Sequence, residues 1–98
     1  MQPFYSIAPG KRPLHTIMPG MLTKGGRALM PFGVMGGYYQ PMGHAHLLSK
    51  VLEFGLDLQE AIDLPRMKPV SGTTDVEAEH TIDREAAAEL TRRGFRIV

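Results

Sequence analysis

With 98 residues, 43% of them hydrophobic, the sequence has room for one small domain with a modest core, since folding at this size removes roughly two-thirds of the unfolded chain's surface from water. Eleven Lys and Arg against ten Asp and Glu leave a net charge of +1, with no clustered basic face to suggest a nucleic-acid partner. Zero cysteines exclude disulfides, a thiol nucleophile and thiolate metal sites, and no run of about 18 apolar residues is available to span a membrane.

The chain opens on Met1-Gln2-Pro3-Phe4-Tyr5-Ser6, without the basic and apolar regions of a signal peptide; the compartment is left open, with the cytoplasm as default. Pro3, Pro9, Pro13, Pro19, Pro31 and Pro41 then punctuate the first part of the chain, too closely spaced for a long helix. Between them lie two apolar segments, Thr16–Thr23 and Arg27–Val34, joined by Lys24-Gly25-Gly26. The glycines can take the positive φ of a tight reversal, so the pattern predicts a β-hairpin. Weak alternation suggests strands covered on both faces. The methionines, Met18, Met21, Met30 and Met35 among them, read as core fillers.

From Pro41 the period becomes helical, with Ala45, Leu48, Val51 and Leu52 on one face, widened by Leu47 and Phe54, and Gly55 just past the end. Asp57-Leu58-Gln59-Glu60 is a capping-box variant that opens a short helix, Leu58–Asp63, stopped by Pro65. Arg66–Thr74 reads as loop. Asp75–Glu79 alternates charge with Val76 and Ala78, as a half-exposed strand does. Asp83 caps a third helix, Arg84–Arg93, Gly94 ends it, and Phe95–Val98 forms a last strand. Without repeats, low-complexity segments or a long linker, residues 1–98 form a single α+β domain of order ββααβαβ.

Candidate chemistry is sparse. His44 and His46 on the first helix point about 200° apart, so they cannot share a metal as residues three or four apart can. With His15 and His80 isolated, no metal site is predicted. Thr16 follows His15, and neighbours on a strand point to opposite faces, which makes a poor nucleophile–base pair. Ser71, Thr73 and Thr74 have no base close in sequence, and Asp75, Glu77 and Glu79 fit a solvated strand face. Gly33-Val34-Met35-Gly36-Gly37 stands between a strand and a helix. Such a glycine pair can present backbone N–H groups to phosphate, a carboxylate or an oxyanion, and it can equally be a plain tight turn.

Read continuously, Pro9-Gly10-Lys11-Arg12-Pro13-Leu14-His15-Thr16-Ile17-Met18-Pro19-Gly20 resembles the K-R-P-x-x-S/T-x-x-P segment of the gamma-glutamyltranspeptidase family. Phe32-Gly33-Val34-Met35-Gly36-Gly37, followed by Gln40-Pro41 and Gly43-His44, is similar to that family's Gly-Gly loop. The run from Leu52 to Arg66 resembles its D-F-G-M-x-x-Q-E-A-I-x-x-P-R block, Val76-Glu77-Ala78-Glu79 its late strand, and the chain end its last helix and strand. The match covers about residues 9–98 in order, and His15, which departs from the pattern of many members, places the sequence with the gamma-glutamyltranspeptidase-like branch.

The resemblance implies a piece of the αββα sandwich of N-terminal-nucleophile hydrolases. In that family a precursor cuts itself, and the new N-terminal Thr of the small subunit attacks a γ-glutamyl amide such as glutathione. The acyl-enzyme then passes to water or an acceptor amine, with no cofactor. By the same resemblance Gly36 and Gly37 match the oxyanion-hole glycines. His15 and Thr16 fall where many members bind the substrate α-carboxylate with two serines; Thr16 keeps a hydroxyl, while His15 departs from the pattern and puts a preference for glutathione in doubt. The nucleophile segment is not among these residues. The chain is therefore expected to be the C-terminal part of a small subunit, inactive by itself. It would partner the rest of the precursor, and in isolation it would self-associate through apolar faces that include Met18, Met21, Leu29 and Phe32. The other reading is a free-standing, non-catalytic binding module derived from that family, with no nucleic-acid or membrane partner in either case.

Overall fold

A computed structural model describes residues 6–98; the first five residues, on which the signal-peptide reading rests, lie outside them. Strands β1 (Gly20–Lys24) and β2 (Arg27–Phe32) pair antiparallel from Lys24 opposite Arg27 at the turn to Gly20 opposite Phe32 at the open end. Gly25 and Gly26 turn at φ of 56° and 75°, the two positive values that a two-residue type I′ hairpin requires. The register shifts between Leu22 and Thr23, a local bulge. The first strand is shorter than the apolar segment beginning at Thr16, because Pro19 lacks the N–H that a ladder needs.

A short 3-10 turn, Gly37–Tyr39, leads into α1 (Gln40–Leu52), with Pro41 in its first turn, where a missing N–H costs nothing. The fully buried residues of α1 are Gln40, Gly43 and His44; of the predicted face, Leu47, Leu48 and Val51 are half-buried, whereas Ala45, Leu52 and Phe54 are exposed. The helix docks by its first two turns: a Cβ on Gly43 would stand 2.6 Å from Val34 Cγ2 and 2.7 Å from Tyr39 Cε1. Its far end meets the next helix, with Lys50 Nζ donating to the Ala61 carbonyl at 3.4 Å, while Leu52 and Phe54 are exposed.

Helix α2 (Leu58–Asp63) begins with the predicted capping box. Asp57 Oδ1 accepts from the Glu60 N–H at 2.8 Å, and Glu60 Oε2 accepts from the Asp57 N–H at 3.2 Å. Ala61 is the residue that α2 buries. The predicted loop from Arg66 to Thr74 contains a strand, β3 (Met67–Pro69), paired antiparallel with β4 (Asp75–Ala78). The order is therefore ββααββαβ. Helix α3 (Arg84–Arg92), begun by Asp83 Oδ1 accepting from the Glu85 N–H, returns the chain to β5 (Arg96–Ile97), parallel to β4. The central strand of this second sheet buries Val76, as the alternation predicted.

Burial is thin. The chain exposes 8167 Å², whereas a closed monomer of this mass exposes about 5,500 Å². Its radius of gyration is 17.2 Å, against about 13 Å for a compact domain of this length. Among the described residues only Tyr39, Ala61 and Val76 are buried hydrophobics. The hairpin is thus not covered on both faces, and Met18, Met21 and Met35 are exposed rather than core-filling, because among the described residues no element packs over them. Leu29 is exposed as expected. Phe32 is not: it is half-buried, over Gly20 and edge-to-face with His44 at 5.1 Å.

Candidate active site at the glycine turn

The segment after β2 reaches α1 through two consecutive glycines at positive φ, Gly36 at 134° and Gly37 at 54°. Both values lie where L side chains are strained. The Tyr39 N–H donates to the Gly36 carbonyl at 2.9 Å and the Gln40 N–H to the Gly37 carbonyl, which closes the 3-10 turn. Among the described residues, no acceptor takes the N–H of Gly36 or Gly37. A Cβ on Gly36 would lie 3.0 Å from Tyr39 Cδ1, whereas one on Gly37 would meet open space. The first glycine is needed for fit and φ, the second for φ alone.

Gly36 borders a cleft of about 280 Å³ between this turn and strands β3 and β4. Its charged wall is paired: Arg66 Nη2 reaches Glu79 Oε1 at 2.7 Å, the Arg66 backbone N–H donates to Glu79 Oε2 at 2.8 Å, and Lys68 Nζ lies 2.7 Å from Glu77. Hydrogen bonds from the Arg66 side chain and backbone hold the Glu79 carboxyl below the ordinary glutamate range. Tyr39 closes the floor. Burial raises its phenol pKa; the Arg66 cation opposes this and the Glu79 anion adds to it. A wider cleft of about 810 Å³ continues past Gly37, Tyr38 and Met42 to Val70.

His15 and Thr16 stand elsewhere. Both are exposed and outside regular structure, and Thr16 lines a separate groove with Lys11, Arg12 and Leu14. The link between the two regions is Gln40, which motif reading did not single out. Its Nε2 donates to the Thr16 carbonyl at 2.7 Å and its Oε1 accepts from the Met18 N–H at 2.9 Å.

Thr73, Asp75 and His46 have structural partners. Thr73 Oγ1 donates to the Val70 carbonyl at 2.8 Å and accepts from the Asp75 N–H, which shapes a turn. Asp75, expected on a solvated face with Glu77 and Glu79, is paired by Arg96 through two contacts of 2.7 Å. His46 lies edge-on to Tyr39, and burial, then the Lys50 ammonium, hold its imidazole below the ordinary value. His44 is buried against Phe32, and its Nε2 lacks a hydrogen-bond partner among the described residues. Among the described residues no group of three or more His, Asp or Glu could hold a metal, and no helix is long and apolar enough to cross a membrane.

This mixed arrangement, a glycine turn between a hairpin and a helix beside a small mixed sheet, is a portion of the N-terminal-nucleophile hydrolase architecture. It superimposes on cephalosporin acylase from Bacillus halodurans with a TM-score of 0.80 and 44% identity, covering 95% of this chain and 17% of that one. The family model for gamma-glutamyltranspeptidase matches residues 1–98: the chain belongs to the gamma-glutamyltranspeptidase family. Among curated relatives, the glutathione hydrolase-like YwrD proenzyme of Bacillus subtilis is 38% identical over 61 residues, 62% of this chain and 12% of the relative. The acylase ACY 1 proenzyme of Pseudomonas sp. strain V22 is 31% identical over 93 residues, 95% of this chain and 16% of the relative. The chain thus spans about an eighth to a sixth of those relatives' length.

Proposed function

We propose that this chain is the C-terminal segment of the small subunit of a gamma-glutamyltranspeptidase-type amidase, and that Gly36 and Gly37 supply the oxyanion hole. The nucleophilic Thr belongs to a part of the protein outside these residues. Its attack converts the amide carbonyl into a tetrahedral centre whose oxygen takes up negative charge. Backbone N–H groups presented at fixed geometry stabilise that charge without reorganisation. Collapse of the centre expels the amine, and water or an acceptor amine then takes the acyl group from the Thr oxygen. His15 and Thr16 serve the acyl donor's carboxylate. The exchange of a serine for His15 leaves the donor class open between γ-glutamyl amides and other acyl amides. Without the rest of the subunit the chain is inactive and self-associates through its exposed hairpin.

The observation carrying this reading is the pair of successive positive-φ glycines whose N–H groups have no described acceptor, at a cleft edge. In the full-length protein a bulky β-branched residue, Gly36→Val or Gly37→Val, is strained at these φ values and should turn the N–H groups away from the oxyanion, lowering the acylation rate by about 10²–10³, the usual effect of losing one oxyanion donor. Single-turnover kinetics with a chromogenic γ-glutamyl anilide measures this. Unchanged acylation in both variants would remove the turn from the active site.

A further inference from the structure

We propose that Gln40 is a positioning residue that ties the His15–Thr16 segment to the glycine turn, so that donor-carboxylate binding and oxyanion stabilisation act on one substrate. The inference rests on the function proposed above. Its ground is a bridge made by one side chain. Gln40 is only 8% exposed, and its amide spans Thr16 and Met18, residues that precede it by 24 and 22 positions. Through its own backbone it donates to the Gly37 carbonyl. One residue therefore bonds both regions.

The two side-chain bonds are complementary in sense. The amide NH₂ meets a carbonyl and the amide oxygen meets an N–H, as a neighbouring strand would do. A flipped amide would set oxygen against oxygen and hydrogen against hydrogen, so the pair fixes its orientation. Among the described residues, no other hydrogen bond holds residues 12–18 to the rest of the fold. Pro13 and Pro19 flank the segment and limit its ladder bonding. Loss of the Gln40 amide would leave it attached only through its ends and its apolar contacts.

The test uses the full-length protein carrying Gln40→Leu, of similar size without the amide, and Gln40→Glu, which keeps an acceptor for Met18 but loses the donor to Thr16. Hydrogen exchange followed through peptides spanning residues 14–20 reads the tether directly, whether or not a γ-glutamyl amide is turned over. Q40L should speed exchange at the Met18 amide by at least about tenfold, the weight of one to two net hydrogen bonds, and Q40E should do so less. Kinetics then reads its purpose, with the 4-nitroanilides of γ-glutamate and of butyrate, the second lacking both the α-carboxylate and the α-amino group. Q40L should raise KM for the γ-glutamyl anilide about tenfold with kcat held within about twofold, and leave both constants for the butyryl anilide nearly unchanged. Unaltered Met18 exchange in Q40L would overturn the tether. Faster exchange with equal loss on both anilides would overturn the positioning role. Absence of γ-glutamyl turnover in the unsubstituted protein would instead count against the proposed function, leaving the exchange measurement to decide the tether.

Discussion

Gly43 packs where a side chain has no room, and two opposing magnitudes decide what an alanine there would do. Replacing a helical glycine by alanine contributes about 1 kcal/mol through helix propensity. The new methyl would stand 2.6 Å from Val34 Cγ2 and 2.7 Å from Tyr39 Cε1, an overpacking that costs about 1–3 kcal/mol. Gly43→Ala should therefore lower stability on balance, with a smaller denaturation midpoint in urea for the full-length protein. A higher midpoint would mean that Val34 and Tyr39 yield freely. The pairing of Glu79 sets a different residue-scale expectation. Its carboxyl is held below its ordinary value of 4.5 by Arg66, so near that pH the folded state binds fewer protons than the unfolded one. The contribution is present above the ordinary value and is lost as pH falls through the lowered one. Glu79→Gln should thus be less stable than the unsubstituted protein at neutral pH, with the gap closing in acid. Solvent screening keeps the effect small. A gap constant from neutral to acid pH in denaturant titrations would dissociate Glu79 from this behaviour.

At the scale of elements, legibility followed how local the cause was. The I′ turn at Gly25-Gly26, the capping box at Asp57 and Glu60, and the cap at Asp83 are short-range devices, and their elements lie where the residues predict. Strand β3 is not legible in the sequence because three residues ending in Pro69 carry no readable period, and only pairing with β4 makes them a strand. The fully buried residues of α1 lie off its apolar stripe for a related reason. Gln40 and His44 are polar and Gly43 reads as an interruption, yet tertiary contacts to Phe32, Val34 and Tyr39 make them the docking face. The glycine pair was legible as a motif and stands at positive φ. The acyl-transfer role proposed for it rests on resemblance rather than on spacing. Gln40 gave no signal beyond its place in the Gln40-Pro41 pair of the quoted motif, since its partners are 22 and 24 residues away.

At the scale of the molecule, the surface carries the argument. Some 8167 Å² exposed, against about 5,500 Å² for a closed monomer, leaves apolar hairpin faces that water solvates poorly. A larger body in contact with β1, β2 and the far end of α1 would remove that excess. Membership of a family whose matched relatives are about six to eight times longer than the aligned segment fits the same picture. The most direct test is the mass of the native polypeptide in its source cells, detected by an antibody against residues 56–67. The account predicts a substantially larger subunit, or a precursor that matures into one. A native band at 10.8 kDa would contradict it.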